Sequence, residues 1–300
     1  MDPLAPNAHR RSPWPGAHVG RALQGLALAA HAGPTLLVTG LTGALAIGVG
    51  APGGTAVLVT AAVLAGQLSV GWSNDWLDAG RDALVERSEK PVVAGLIRPG
   101  TLRTAALVAA AGCVVLSLAT GLVPGTVHLV AVAGAWAYNL RLKNTAASWL
   151  PYAVSFGLLP VFIVLALPGR PVPPWWVVLG ASLLGVGAHV ANVLPDLEDD
   201  AATGVRGLPH RWGRARSTVL ALSVLVAAVG VIVLGPPPPV TPAGWSGAGA
   251  ALLLAGAGAA AAHRDGRSRL PFALSMAVAA VCVVLLVLAG PELVPEARAT

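Results

Sequence analysis

The chain has 300 residues, 55% of them apolar and only 11% charged, with a mean hydropathy of +0.73. A soluble globular domain carries roughly 25% charged residues, so this composition excludes a soluble fold and points to a polytopic membrane protein. The net charge of +6 does not indicate nucleic acid, because the basic residues are not gathered on one module, and two cysteines in apolar runs, Cys113 and Cys282, exclude a disulfide framework.

The first 16 residues are polar and Pro-rich and are expected to be a disordered tail. One intramembrane domain is expected over 17–291, followed by a short C-terminal tail at 292–300. Apolar runs long enough for a bilayer core of about 30 Å predict nine transmembrane helices. They lie near 23–48, 54–77, 102–121, 125–141, 147–168, 173–194, 216–235, 242–262 and 270–290. The first run is too long for a signal-peptide core of about 7–15 residues. Breaks fall at turn-rich stretches such as Pro124-Gly125, Pro168-Gly169 and 235–239.

Seventeen of the 19 Lys and Arg precede the first run or follow the second, fourth, sixth and eighth. Only Arg170 and Arg298 fall on the other side. By the positive-inside rule the N-terminus and these loops are cytoplasmic, and the regular alternation supports the count of spans.

The acidic residues are as unevenly placed. Asn74, Asp78 and Asp82 are spaced by four, and Asn192, Asp196 and Asp200 repeat that spacing 118 residues later. On a helix such residues share a face, drifting about 40° per step. The constant offset predicts two related halves whose stripes face each other across a central cavity. Carboxylates stacked at a helix C-terminus oppose the macrodipole and each other, which makes an ordinary solvated helix end a poor explanation. Mg²⁺ takes hard oxygen ligands and is commonly held by one or two carboxylates plus substrate phosphates. Two stripes therefore suit two Mg²⁺ bridging one diphosphate. Both lysines, Lys90 and Lys143, fall in the loops that would border this site, as do Arg87, Arg141 and Arg206. Such cations can neutralise charge on a departing diphosphate.

The run Asn74-Asp75-x-x-Asp78-x-x-x-Asp82 resembles the first motif of the UbiA superfamily of intramembrane prenyltransferases, and Asp196-x-x-x-Asp200 resembles the second. Arg87 to Gly95 is similar to the basic segment that follows the first motif, and Tyr138 with Lys143 and Ser148–Pro151 to the segment after the fourth helix. The resemblance spans about 21–290. It implies nine helices around a cavity open to the cytosol and to lipid, with capping loops after the second and sixth. It also implies that Asn74, Asp78 and Asp82 hold one Mg²⁺ and Asp196 and Asp200 the other. Asp75, about 100° from Asn74 on the helix, reads as an orienting group, and Asn192 as the counterpart of Asn74.

The chemistry expected is ionisation of an allylic prenyl diphosphate in a dry pocket that protects the cation from water. An acceptor, most plausibly aromatic, then attacks it. Aromatic faces stabilise cations, and Trp72, Trp76, Trp136, Tyr138, Tyr152 and Phe156 are candidates. His189 and His31 are read first as packed helix residues, with places on the cavity or acceptor pocket as the alternative. A terpene cyclase that uses no acceptor is the rival within the superfamily. A transporter with Asp-lined ion sites is the rival outside it.

Overall fold

A computed structural model describes residues 15–84, 87–202, 204–264 and 268–294. It is all helical, and no strand occurs among the described residues. Of the tail expected at 1–16, residues 1–14 lie outside the described residues, and a helix begins at Pro15. Of the C-terminal tail, 295–300 lie outside them as well.

The first apolar run is not one helix. It forms α1 (Pro15–Ala29) and α2 (Ala32–Gly48), bent 65° at the break. Pro34 explains this. It has no N–H to give the Ala30 carbonyl four residues back, and its ring would clash there. The Thr35 hydroxyl takes up that carbonyl instead, at 2.6 Å. His31 occupies the break with a left-handed backbone, φ 49°.

Next comes α3 (Gly53–Leu84), 32 residues and about 48 Å long. A bilayer core takes about 20 of these residues. The last three turns, Asn74 onward, therefore project beyond the hydrocarbon when the helix starts at its opposite boundary. The chain continues through α4 (Pro99–Ala119), α5 (Leu122–Leu140), α6 (Leu150–Leu165) and α7 (Trp175–Val193). Two short helices follow, α8 (Leu197–Ala202) and α9 (Leu208–Trp212), then α10 (Arg214–Leu234), α11 (Pro242–Arg264) and α12 (Leu270–Leu288).

By length and composition six of these helices are able to cross a membrane, or seven with α1 and α2 taken as one broken span. That is fewer than the nine expected, for a physical reason. α5 carries His128, Trp136, Tyr138 and Asn139, which lower its hydropathy, and α6 has only 16 residues. Both nonetheless hold places in the bundle. Successive long helices from α2 to α12 pack as neighbours, and α12 returns to α2, so the helices close into a ring. The pairings of α3 with α4 and of α7 with α10 are the most extensive, as expected of two related halves.

Buried Leu45, Val63, Phe162, Leu184, Leu225 and Leu286 fill one end of the ring. Small residues bring the backbones close, as is common between helices in lipid. A Cβ on Gly185 would lie 2.5 Å from the Tyr152 carbonyl oxygen and 2.8 Å from Phe156 Cβ. By contrast α11 buries only 11% of its apolar window, against 56% for α7, so it is peripheral and offers most of its surface to lipid.

The second motif departs from the single helical stripe expected. Pro195 ends α7, Asp196 stands in the turn, and Asp200 lies on α8. A proline lacks the donor that would continue the helix.

Gly185→Val is expected to lower the melting temperature in detergent by several degrees, because overpacking costs about 1–3 kcal/mol or more. Gly80→Ala, in helix α3 with nothing within 4 Å of the added Cβ, should leave it unchanged or raise it, since alanine favours helix by about 0.5–1 kcal/mol. Thermal-shift measurements on the two variants side by side check both signs.

Candidate active site

The end of α3 gathers three carboxylates, Asp75, Asp78 and Asp82, on one side of the helix. Asp75, 3% exposed, receives two hydrogen bonds on the same oxygen, from Lys90 Nζ at 2.8 Å and His31 Nε2 at 3.0 Å. One turn on, Asp78 takes Lys143 Nζ on Oδ1 at 2.5 Å and Arg81 Nη2 on Oδ2 at 3.0 Å. Asp82 is 2% exposed, yet its Oδ1 has no hydrogen-bond partner. The guanidinium nitrogens of Arg87 and Arg81 stop 3.8 and 3.9 Å short of it.

The second motif meets the first through Arg87. Its Nη2 donates to Asp200 Oδ1 at 2.8 Å, across 113 residues of sequence. His210, on α9, stands 3.9 Å from the other oxygen of Asp200. Asp196 is exposed in the turn between α7 and α8. The α8–α9 segment is tied to the loop after α5. Ser148 Oγ accepts from the Leu208 N–H at 3.0 Å and bonds His189 Nε2 at 3.2 Å. Gly207 leaves room for this, because a Cβ there would lie 2.9 Å from the Lys143 carbonyl oxygen.

Burial and pairing pull these groups in opposite directions. Desolvation pushes the Lys143 ammonium below the ordinary lysine value, partly opposed by Asp78. Desolvation works to lower the Arg87 guanidinium, but Asp200 outweighs it and the value rises. Desolvation would raise Asp200, but His210 and Arg87 beside it hold it below the usual carboxylate value.

Below the carboxylates lies a cavity of about 330 Å³. Asn74 and Asn192, from the two motifs, both line it, with Tyr138, Tyr152, Phe156 and His31 among its other walls. Tyr152 stacks on the His189 ring at 4.4 Å and takes Tyr138 edge-on at 5.1 Å. The cavity is thus polar at the motif end and aromatic along one side.

The structure thus joins Asp75 with Lys90, Asp78 with Lys143, and Arg87 with Asp200. Asn74, Asn192 and Tyr138 share the cavity wall. The remaining predicted residues stand elsewhere. Trp72 donates its indole N–H to the Leu26 carbonyl and packs on α1 beside Ala29 and Ile97. Trp136 donates to Ser69 Oγ at 3.2 Å, and Arg141 and Arg206 are exposed. Sequence reasoning missed the His31–Asp75 contact and the Arg81 pairing with Asp78. Gly71, one turn before Asp75, was the available sign, since it lets the α1–α2 break approach α3.

The donor set suits magnesium. Among the described residues no three His, Cys, Asp or Glu side chains form a cage of their own. What α3 offers is a buried carboxylate oxygen without a hydrogen-bond partner, with further hard oxygens nearby. That matches an ion that takes one or two carboxylates and completes its shell from phosphate and water.

A ring of apolar helices with opposed Asn/Asp clusters over an internal cavity defines an intramembrane protein with a polar site rich in hard oxygen donors. A family profile described as the UbiA prenyltransferase family matches residues 35–277, and the chain belongs to that family. It is 31% identical over 188 residues to a digeranylgeranylglyceryl phosphate synthase of Methanopyrus kandleri. That alignment covers 61% of this chain, which spans 65% of the length of that curated relative. The fold is shared with a UbiA homologue from Aeropyrum pernix in its apo form (TM-score 0.67, 19% identity, 84% of this chain and 96% of that one). It is also shared with a UbiA homologue from Archaeoglobus fulgidus bound to GPP and Mg²⁺ (TM-score 0.64, 16% identity, 91% and 99%).

The Asp200 pairing has a pH signature. A carboxylate whose folded pKa is lowered adds stability that is complete above its unfolded value, 3.8, and is lost as pH falls through the folded value. Asp200→Asn should therefore melt below the parent protein at pH 7 and converge with it as pH drops below about 4. Melting curves in detergent across that range check this, and a constant offset at every pH would rule it out.

Proposed function

We propose that this chain is a Mg²⁺-dependent prenyltransferase. It moves an isoprenyl group from a prenyl diphosphate to a lipophilic acceptor, aromatic or other, and releases diphosphate. The observation that carries this reading is the convergence of both motifs, joined by the Arg87–Asp200 pair and by Asn74 and Asn192 on one wall, over a cavity with an aromatic side. Two relatives add weight. One is named for synthesis of a prenylated glyceryl phosphate, and the other was solved with a prenyl diphosphate and Mg²⁺. The glyceryl phosphate name favours a glycerol-based lipid over a quinone precursor as acceptor.

Asn74, Asp78 and Asp82 are assigned to one Mg²⁺ and Asp196 and Asp200 to a second. Bound there, the ions would take up charge on the diphosphate as it leaves. The chain's own cations share that work. In the substrate-free arrangement Lys143, Lys90 and Arg87 neutralise Asp78, Asp75 and Asp200. With metal on Asp78 and Asp200, Lys143 and Arg87 would be free to donate to phosphate oxygens, while Lys90 stays beside them on Asp75. Asn192 orients the diphosphate at the cavity mouth. Tyr138 presents its ring to the allylic carbon, and the cavity keeps water from the cation. Trp72 and Trp136, whose N–H groups are committed to Leu26 and Ser69, stay assigned to apolar contact with the substrate through their rings, and Arg141 and Arg206 to phosphate contacts after the loops close on ligand. The motif end is assigned to the cytoplasm by its arginines and lysines, in one intramembrane domain over 17–291.

Asp78→Ala and Asp196→Ala are each expected to abolish prenyl transfer while the protein still inserts and purifies. Retention of a tenth of wild-type turnover, a loss of only about 1.4 kcal/mol, would reject the two-metal assignment. Lys143→Ala should lower turnover at least tenfold. Arg170→Ala should be near neutral, because Arg170 sits by Gly121 at the opposite end of the bundle. The assay is mass spectrometry of products from purified enzyme, Mg²⁺ and prenyl diphosphates with and without candidate acceptors. Cyclised product formed without an acceptor would instead indicate a cyclase.

A further inference from the structure

The most elaborately built position outside the metal site is His31. It occupies the α1–α2 break with φ 49°, a conformation that non-glycine residues adopt uncommonly and that tends to mark functional positions when held in place. Three contacts hold it there. Trp72 Nε1 donates to the Leu26 carbonyl at 2.9 Å, and Thr35 Oγ1 donates to the Ala30 carbonyl at 2.6 Å. Gly71 lets the break lie on α3, since a Cβ there would be 3.2 Å from the carbonyl oxygens of Ala29 and Ala30. None of these contacts is needed to hold a diphosphate.

What they place is an imidazole on the cavity wall, backed by a buried carboxylate. Asp75 Oδ1 already accepts from Lys90, so Asp75 is an ionised acceptor and the hydrogen on its contact with His31 Nε2 belongs to the histidine. That fixes the tautomer. Nδ1 keeps its lone pair and is the ring nitrogen left to accept a proton. This is the arrangement of a general base oriented by an aspartate.

A base of this kind matters for one class of acceptor. A ring activated by its own hydroxyl carries electron density to the carbon that attacks. An unactivated alcohol oxygen is a weak nucleophile, and a fixed base that takes its proton as the new bond forms makes it a better one. Resting on the prenyltransferase reading above, we propose that His31 is the general base for a hydroxyl-bearing acceptor and that Asp75 is its positioning residue. In the step assigned, the bond between the allylic carbon and the diphosphate oxygen breaks, and its electron pair leaves with diphosphate. The acceptor oxygen forms the new bond to that carbon, and its proton passes to His31 Nδ1. The product is an ether.

The experiment separates ionisation from transfer. Purified enzyme with Mg²⁺ receives geranylgeranyl diphosphate labelled with ¹⁸O at the bridging position. Exchange of the label into non-bridging positions reports ionisation, and a monoalkylated glyceryl phosphate serves as hydroxyl probe alongside 1,4-dihydroxy-2-naphthoate as ring-carbon probe. Wild-type enzyme is expected to form the glyceryl ether. General-base catalysis contributes about 10²–10⁴-fold, so His31→Asn should lower ether formation at least about 100-fold while label exchange continues. In His31→Ala, added imidazole should restore part of the ether formation, which a packing role would not permit. Ether formation by His31→Asn at the wild-type rate, or no imidazole rescue, would overturn the proposal. Transfer by wild type to the naphthoate alone would overturn it as well. Absence of label exchange in wild type would instead reject the prenyltransferase reading itself.

Discussion

Carboxylates at the edge of a bilayer cannot be left alone, and the arrangement of this protein's polar end follows from that constraint. An isolated ionised carboxylate in an apolar setting is too costly to persist. Asp75, Asp78 and Asp82 are all buried, so each draws cations to its neighbourhood. Those cations do not come from adjacent helices. Lys90 and Arg87 come from the segment after α3, and Lys143 from the turn after α5. The pairing therefore folds the connecting segments over the helix ends, and Arg87 bridges to Asp200 on the far half. The same charges that close the site without ligand are those best placed to meet a diphosphate.

Much of this was readable from composition and spacing. Eleven per cent charge and regular runs of apolar residues gave the membrane class. The one-sided distribution of arginines marked the end of the bundle that carries the Asn/Asp repeat at 74–82 and 192–200, and that repeat defined the candidate site. What could not be read was whatever depended on a single residue's backbone. Pro34 splits the first run, and Pro195 splits the second stripe, although both lie in stretches that look helical by hydropathy alone. Periodicity measures the average character of a window, whereas a missing N–H acts at one position.

Partners chosen across the sequence were equally hidden. That Lys143 would take Asp78 and Lys90 would take Asp75 was not implied by their spacing, only by the bundle that brings α5 and the α3–α4 segment together. The tryptophans show the converse. Trp72 and Trp136 are in the right region for a cation-lined pocket, but their indole N–H groups are satisfied by Leu26 and Ser69. A buried indole seeks an acceptor, and the nearest one fixes its orientation before any ligand arrives.

The two halves repeat their polar residues without repeating their mechanics. In the first, Asn74, Asp78 and Asp82 ride on one uninterrupted helix whose length, about 48 Å, carries them past the hydrocarbon. Their relative positions are set by helix geometry alone. In the second, Pro195 separates Asn192 from Asp200, and α8 has only six residues. Its position depends on what it touches: Arg87 through Asp200, Arg214 through Glu198, and Ser148 through the Leu208 amide just beyond it. Two of those three ties are ionic and involve exposed or half-buried groups, which exchange readily with water and ligand. A rigid carboxylate platform thus faces one tethered by replaceable contacts. A substrate bearing several phosphate oxygens competes directly for those tethers, so the second motif is where binding energy would be converted into movement.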